Sequence, residues 1–224
     1  MHDPALPWSH RAEGPLAQRI AADTARAVIQ GSHSPGALLT EVDLAATFGV
    51  SRTPAREAML QLEAWGLVRL LPKKGAVVTT VSPAERRDLL SVRSMFEVES
   101  VAALTAVGNG LDGVAGALLA RIDEQRAALA ANDLLAFAAA DYAFHAGVIL
   151  AGGNTVVREL LTTLAPRLTR LTHQACLERP GSLPRLLAEH ERLAWQARTG
   201  DVDGFSATIR AHIKDTYYPD GEDR

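Results

Sequence analysis

The sequence predicts a mainly α-helical protein, in which a winged helix-turn-helix precedes an antiparallel all-α helical bundle. Near the N-terminus, two short helical patterns surround a glycine turn, and a hairpin pattern follows them directly. From residue 82 onward, strand signals nearly vanish and alanine- and leucine-rich helical patterns follow one another. We therefore divide the chain into a flexible lead-in over residues 1–15, a winged helix-turn-helix over residues 16–81 and a helical domain over residues 82–224.

The composition is that of a globular protein with a substantial core. Hydrophobic residues make up 47% of the 224 residues and charged residues 22%. No apolar run approaches the roughly 20 residues of a membrane span, and the N-terminus lacks the pattern of a secretory signal. Cys176 is the single cysteine, so no internal disulfide can form. These observations predict a soluble cytoplasmic protein with no membrane partner.

The first helical pattern covers residues 16–30 and ends at Gly31, which leaves it free to pack beneath the helix-turn-helix. The helix-turn-helix itself turns at Gly49, where the backbone needs a positive φ. The second helix of the motif begins near Ser51, a candidate N-cap, and tolerates Pro54 in its first turn. Its inward face is predicted to consist of Ala55, Met59 and Leu62.

Arg52 and Arg56 lie one helical turn apart near the N-terminus of this second helix and on one side of it. Recognition helices present base-reading side chains from this end, and an arginine fork matches guanine or a phosphate. The hairpin that follows carries Lys73 and Lys74 at its tip, where they suit backbone phosphates or the minor groove. The alternative is a small helical subdomain with a solvated basic turn. The candidate DNA-binding residues are Ser51, Arg52, Thr53, Arg56, Lys73, Lys74 and Gly75.

The charge distribution agrees with a local DNA contact. The net charge is -3, but residues 51–75 hold five basic and two acidic side chains, a local +3. Residues 81–224 hold 15 basic and 19 acidic side chains. A compact basic patch on a mildly acidic body favours contact with DNA through one face over a nucleoid protein that coats it.

The helical domain begins at a predicted capping box, with Ser82 as N-cap, proline next and Glu85 three residues on. Turn and cap signals occur at Gly108-Asn-Gly110, Asn132, Asn154, Pro180-Gly-Ser182 and Gly200. They delimit helices at about 83–107, 111–130, 133–151, 154–178, 183–199 and 202–218. Short connections of this kind predict an antiparallel bundle.

Four polar residues can face the interior of this bundle. Asp141 and His145 are four residues apart on one helix, and His190 and His212 occur in the middle of the last two helices. Buried neutral imidazoles need partners. A shared metal ion and a core of separately hydrogen-bonded histidines both satisfy this need, and spacing alone leaves both open.

The opening segment resembles the winged helix-turn-helix of the GntR family of bacterial transcription regulators. The shared pattern runs from Leu39 to Val68 and includes Gly-Val-Ser-Arg-Thr-Pro-x-Arg-Glu-Ala and Gly-Leu-Val. The helical remainder resembles the FCD effector domain of the FadR-like branch. One position departs from some FadR-like members: Val42 stands where they carry an arginine, so a DNA contact there is not expected.

The resemblance implies that Asp141, His145, His190 and His212 bind a divalent metal, with zinc expected and nickel, manganese or iron also compatible. It also implies that Arg93 faces an effector carboxylate. The alternative for Arg93 is a solvated ion pair with Glu97, one helical turn later. We expect Asn154 to be a helix cap, Cys176 an inert packing residue, and His173 part of a partly exposed polar stripe with Arg167 and Arg170.

The sequence therefore predicts a homodimeric transcription regulator, most simply a repressor, that binds a palindromic operator in double-stranded DNA. A small carboxylate bound in the FCD-like bundle over residues 82–224 would control this binding. The alternative function is a metal-dependent enzyme acting on a small acid, with the helix-turn-helix as a targeting module. We rank it second because Glu189 and Glu191, the carboxylates that flank His190, point about 100° away from it around the helix.

Overall fold

The computed structural model describes Leu6, residues 14–108 and residues 111–218. Most of the predicted lead-in lies outside the described residues, as do residues 109 and 110 of the predicted turn after the first helix of the bundle. Over the described residues, nine α-helices and a three-stranded sheet form the predicted winged helix-turn-helix and helical bundle. The predicted fold class is confirmed.

The N-terminal unit contains three helices and a small sheet. The helices are α1 (Leu16–Ile29), α2 (Glu41–Phe48) and α3 (Arg52–Ala64), and the strands are β1 (Leu38–Leu39), β2 (Val68–Leu71) and β3 (Gly75–Val78). The sheet is antiparallel with the order β1-β3-β2. Strands β2 and β3 form the predicted hairpin. Strand β1 was not predicted, because two residues are too few to show an alternating pattern.

The helix-turn-helix has the predicted turn at Gly49 and the predicted inward face, and it has a cap at Thr40 that was not predicted. The side chain of Thr40 caps α2 by accepting from the Asp43 N–H, and Gly49 ends this helix with a φ of 64°. Met59 and Leu62 are at most 1% exposed and anchor α3 on the core. Ser51 occupies the N-cap position of α3, but its side chain makes no capping hydrogen bond.

The helical domain consists of α4 (Pro83–Val107), α5 (Leu111–Ala130), α6 (Leu134–Ala151), α7 (Thr155–Glu178), α8 (Leu183–Thr199) and α9 (Val202–Tyr217), with a 3-10 turn at Pro180–Ser182. Their ends lie within one residue of the predicted ends because the caps were readable. Ser82 Oγ accepts from the Glu85 N–H, and Asn154 Oδ1 accepts from the Val156 and Val157 N–H groups. Asn154 is therefore a helix cap, as expected.

Helix α6 corrects one expectation. Its 18 residues are long and apolar enough to cross a membrane by length and composition, although no such run was expected from the sequence. However, 61% of this stretch is buried inside the protein. Asp141 and His145 lie on one face of the helix and are buried in the bundle. The apolar composition of α6 is that of a central core helix, packed mainly between α5 and α7.

Helix α7 joins the winged unit to the bundle. Arg170 Nη1 donates to Thr79 Oγ1 at 3.3 Å, and Arg167 pairs with Glu85 at 3.4 Å. One apolar cluster crosses the boundary, since Leu67 and Val78 of the winged unit belong to the same buried group as Leu168 and Leu171 of α7. The two units therefore share a core, and the domain boundary at residue 82 stays a prediction from the sequence.

The expected polar stripe on α7 is wrong in its exposure. Arg170 is 2% exposed and His173 is 5% exposed. Both point to the winged unit: Arg170 bonds Thr79, and His173 bonds the backbone of Ile29 at the end of α1. Burial lowers the pKa of His173. The helical periodicity places these residues on one face, as predicted. It does not show that the winged unit covers that face.

We expect Gly75→Ala to destabilise the protein. Gly75 has a φ of 104°, and a Cβ there would lie 2.2 Å from the carbonyl oxygen of Leu39 on the paired strand β1. The free energy of unfolding should fall by roughly 2 kcal/mol or more in urea titrations. Gly116→Ala is the control, because that position is helical and open; it should gain roughly 0.5–1 kcal/mol. Equal losses in both variants would contradict this explanation.

Candidate metal centre and nucleic-acid interface

Three helices bring the four predicted metal ligands together. Helix α6 carries Asp141 and His145 on one face, α8 carries His190 and α9 carries His212. Each of the four is at most 1% exposed. One ligand atom from each residue lies within 4.8 Å of the others, and the three imidazole centroids are 5.0–5.2 Å apart. The spacing at i and i+4 predicted the first pair, and bundle packing supplied the other two.

Every imidazole is held from one side by an acceptor on a neighbouring element. His145 Nδ1 donates to Glu97 Oε2 of α4 at 2.8 Å. His190 Nδ1 donates to Gln125 Oε1 of α5 at 2.7 Å. His212 Nδ1 donates to Glu189 Oε2 of α8 at 2.8 Å. These bonds fix the ring orientations and place the lone pair of each neutral ring on Nε2.

The other nitrogen of each ring faces the cluster without a hydrogen bond. Among the described residues, no hydrogen-bond partner reaches the Nε2 atom of His145, His190 or His212. Asp141 Oδ1 lies 3.4 Å from His190 Nε2 and 3.9 Å from His145 Nε2, while Thr172 Oγ1 donates to Asp141 Oδ2 at 3.0 Å. Three buried nitrogen lone pairs and a carboxylate oxygen thus converge on one point.

Burial sets the protonation of the cluster. It lowers the pKa of His145, His190 and His212 well below the ordinary value, because desolvation disfavours the imidazolium and Arg93 adds positive charge. It raises the pKa of Asp141 to about 6 and that of Glu97 to about 8, although Arg93 opposes both shifts. The imidazoles are therefore neutral, the form in which they bind metals.

This donor set fits a divalent transition metal. Unpartnered buried polar atoms are rare in folded proteins, and three that face one carboxylate oxygen are explained by a common ligand. Imidazole nitrogen with one carboxylate oxygen suits zinc, nickel, manganese or iron and does not choose strongly among them. The structure thus favours a shared metal over a core of separately satisfied histidines.

Arg93 is buried beside this cluster. It is 3% exposed, and its Nε lies 3.2 Å from Glu97 Oε1, so the ion pair of the alternative interpretation exists but is not solvated. Burial lowers the pKa of Arg93, but Tyr217, Glu97 and Asp141 outweigh burial and raise it above the ordinary value. Arg93 also lines a cavity with Asp141, Tyr142, His145, Ala146, Ile149, Leu161, Leu168 and Thr172. The space between these side chains is too narrow for a water molecule.

Sequence reasoning missed the outer partners of the histidines. Gln125 is fully buried, and it shares a helical face with Leu118 and Ile122, so a polar residue on an apolar face was the available signal. Glu189 was considered as a general base near His190, but it binds His212 on the next helix. Glu191 pairs with Arg126 at the surface instead.

Helix α3 and the hairpin form the candidate DNA-binding surface. They enclose a groove of about 740 Å³, and the candidates that line it are Arg52, Arg56, Lys73, Lys74 and Gly75. Arg56 is 73% exposed and lies 3.9 Å from Glu41 of α2. The structure therefore brings the arginine pair and the hairpin lysines to one face, as a winged helix-turn-helix requires.

The remaining candidates have different positions. Ser51 and Thr53 are exposed at the start of α3 but do not line the groove. Gly75 belongs to β3, where the approach of Leu39 already explains a glycine. Val42 is 51% exposed and lines the groove, so the position that departs from some FadR-like members lies on this surface.

Cys176 is buried, and burial raises its pKa to about 12, as expected of an inert thiol.

Two family profiles match the chain. The profile of bacterial regulatory proteins of the gntR family matches residues 16–78, and the FCD domain profile matches residues 88–215. A crystal structure of a GntR transcriptional regulator from Rhodococcus sp. RHA1 superposes with a TM-score of 0.75 at 20% identity, covering 93% of this chain and 99% of that one. At this identity, the superposition supports the fold alone.

Relatives of known sequence are transcription regulators. A helix-turn-helix regulator from an unstable DNA locus of Streptomyces ambofaciens is 34% identical over 81% of this chain and 75% of its own. The gluconate operon transcriptional repressor of Bacillus licheniformis is 26% identical over 93% of this chain and 85% of its own. A regulator of Agrobacterium vitis is 39% identical, but the match spans 50% of this chain and 66% of that protein.

We expect Glu189→Ala to weaken divalent metal binding by about 10- to 100-fold, because His212 would lose the acceptor that orients its ring. Competition titrations with a chromogenic zinc chelator measure this affinity. Glu191→Ala is the matched control, since Glu191 lies two residues away on α8 and pairs with Arg126. An unchanged affinity in Glu189→Ala would show that this carboxylate does not support the cluster.

Proposed function

The chain belongs to the GntR family of bacterial transcription regulators and carries an FCD domain, and we propose that it is a metal-dependent sensor of a small carboxylate. Its DNA-binding half makes it a transcription regulator, and the family is not one of enzymes. The finer proposal is a repressor whose operator binding responds to the carboxylate. It is expected to act in the cytoplasm.

The convergence of three unpartnered Nε2 atoms on Asp141 carries this proposal. The four ligands Asp141, His145, His190 and His212 leave coordination positions that a carboxylate oxygen can take. Zinc is our first choice for the metal, on grounds of availability, with nickel, manganese or iron as alternatives. The metal would supply an electrophilic centre that holds the effector, and no chemical change of the effector is needed.

Arg93 supplies the second feature of a carboxylate site. Its guanidinium is buried, and it lines the same cavity as Asp141 and His145. A planar arginine fork binds a carboxylate through two parallel hydrogen bonds. The gluconate operon repressor is one of the relatives, and gluconate is a carboxylate, which agrees with this class of effector for the present chain.

Helix α7 offers a path from this cavity to the DNA-binding surface. On one side of the helix, Thr172 bonds the metal-ligand candidate Asp141. On another side, Arg170 bonds Thr79 at the end of the hairpin, whose hydroxyl in turn bonds the Gly66 carbonyl just after α3. An effector that favours one position of α7 would therefore change how the winged unit is held.

We propose that two copies of the chain bind a palindromic operator, one half-site each. Regulators of this family are typically dimers, and a two-fold axis makes affinity depend on the spacing of the paired winged units. The basic patch over residues 51–75 gives each copy one DNA-facing surface. In this arrangement, a shift of α7 changes the spacing that the dimer offers to the DNA.

The alternative of a metal-dependent enzyme has little support from the site. Metal-assisted hydrolysis needs a general base beside the open coordination position. The flanking carboxylate Glu189 binds Nδ1 of His212, on the ring edge away from the converging Nε2 atoms. Together with the regulator family, this geometry favours sensing over catalysis.

We expect the protein purified without chelator or affinity metal to carry about one divalent ion per chain in native mass spectra. His212→Ala should lose most of that ion, because one of four ligands is removed. If the wild-type protein stays metal-free after addition of zinc, nickel and manganese, the cluster is a polar core and not a metal site. The DNA-binding assignment would survive that result.

We expect Arg52→Ala to lower affinity at least about tenfold for a DNA sequence selected by the wild-type protein from a random library, because a base or phosphate contact is lost. Fluorescence anisotropy at fixed salt measures this affinity. Arg210→Ala is the control, since Arg210 is an exposed arginine of α9 and gives the same change in net charge. Equal affinities of the two variants would contradict the assignment of α3 as the recognition helix.

A further inference from the structure

Tyr217 lies between Arg93, which lines the candidate effector cavity, and a second cleft at the surface. It is the last residue of α9 and is 5% exposed. On the inner side, Arg93 Cζ lies 5.8 Å from the centroid of its ring. On the outer side, Tyr217 lines the surface cleft with Arg86, Arg179 and Thr216. One side chain thus separates the buried arginine from the solvent side.

The hydroxyl of Tyr217 is part of a directed hydrogen-bond chain. Thr172 Oγ1 donates its one proton to Asp141 Oδ2 at 3.0 Å. The contact of 2.8 Å between Tyr217 Oη and Thr172 Oγ1 must therefore use the proton of the tyrosine. The Tyr217 oxygen is left as an acceptor, and Arg93 bonds it. A phenol oxygen thus sits where an anionic oxygen would meet Arg93.

Arg93 is incompletely satisfied by these partners. Within the described part of the chain, its Nε and Nη2 atoms are buried and make no hydrogen bond, although Glu97 Oε1 lies 3.2 Å from Nε. Unpaired N–H groups of a buried guanidinium are energetically costly. A carboxylate with two oxygens would satisfy Arg93 better than the single oxygen of Tyr217 can.

The cavity beside Arg93 is narrow, and this bears on the role of Tyr217. The space around Arg93 and Asp141 does not admit a water molecule, so a carboxylate cannot enter unless a wall moves. The backbone around Tyr217 is held from the outer side by arginines: Arg86 Nη1 donates to Tyr217 O at 3.4 Å, and Arg179 Nη1 donates to Asp215 O at 3.2 Å. These cations lie at the cleft where an arriving anion would first meet the protein.

We propose that Tyr217 is a specificity-determining residue, whose hydroxyl occupies the carboxylate position on Arg93 and whose ring separates that position from the arginine-lined cleft. The inference rests on the proposed sensing function. An effector must displace Tyr217 to bind, so its apparent affinity is reduced by the fraction of chains in which the tyrosine is in place. Neutral ligands gain too little from Arg93 to displace it, which makes the site selective for anions.

The test compares Tyr217→Phe with wild type, both loaded with cobalt(II), in calorimetric titrations with acetate. Removal of the hydroxyl frees Arg93 while the ring volume is kept, so acetate should bind about tenfold more tightly. Acetamide, which has the same shape without the charge, should gain nothing. Tyr142→Phe is the matched control, because the hydroxyl of Tyr142 bonds the carbonyl of Leu161 and not Arg93, and the acetate affinity of this variant should not rise.

The outcomes separate this inference from the function on which it rests. Failure of all three proteins to take up cobalt would reject the metal centre and this inference with it. Normal cobalt uptake with acetate binding that is equal or weaker in Tyr217→Phe would overturn the role of Tyr217 alone. An equal gain in Tyr142→Phe would show a general loosening of the cavity and would also overturn it. Thermal unfolding of each variant confirms that the fold is retained.

Discussion

The burial of three imidazoles and one carboxylate inside an apolar bundle is the constraint on which the helical domain depends. Polar groups removed from water must find partners, or the fold loses several kcal/mol for each group. Here Glu97, Gln125 and Glu189 come from three different helices to meet Nδ1 of the three histidines. These bonds join α4 to α6 and join α8 to both α5 and α9.

The same constraint leaves the opposite edge of each imidazole unsatisfied. The converging Nε2 atoms and Asp141 Oδ1 form a group that could hold a shared metal ion. The proposed metal would therefore stabilise the bundle as well as hold an effector, because it binds the folded arrangement alone. Stability and sensing would then depend on the same four side chains.

Helix α7 contacts both the metal-ligand cluster and the winged unit. Its residues alternate between the cavity, where Thr172 bonds Asp141, and the winged unit, where Arg170 bonds Thr79. Arg170 is almost fully buried, so its position is fixed by both units at once. In the proposed mechanism, a displacement at the cavity would be passed through this tightly packed contact to the winged unit.

The sequence by itself determined the helices, their ends, and the residue types of the DNA-binding surface and of the buried metal-ligand cluster. Periodicity and caps such as Ser82 and Asn154 act within a few residues, so they are readable without the fold. The i, i+4 spacing of Asp141 and His145 is likewise local. Only the tertiary structure decided that Gln125 and Glu189 hold the distant histidines, that Tyr217 meets Arg93, and that Arg170 and His173 are buried against the winged unit. These contacts join elements far apart in the chain, and no local pattern specifies which helix faces will meet.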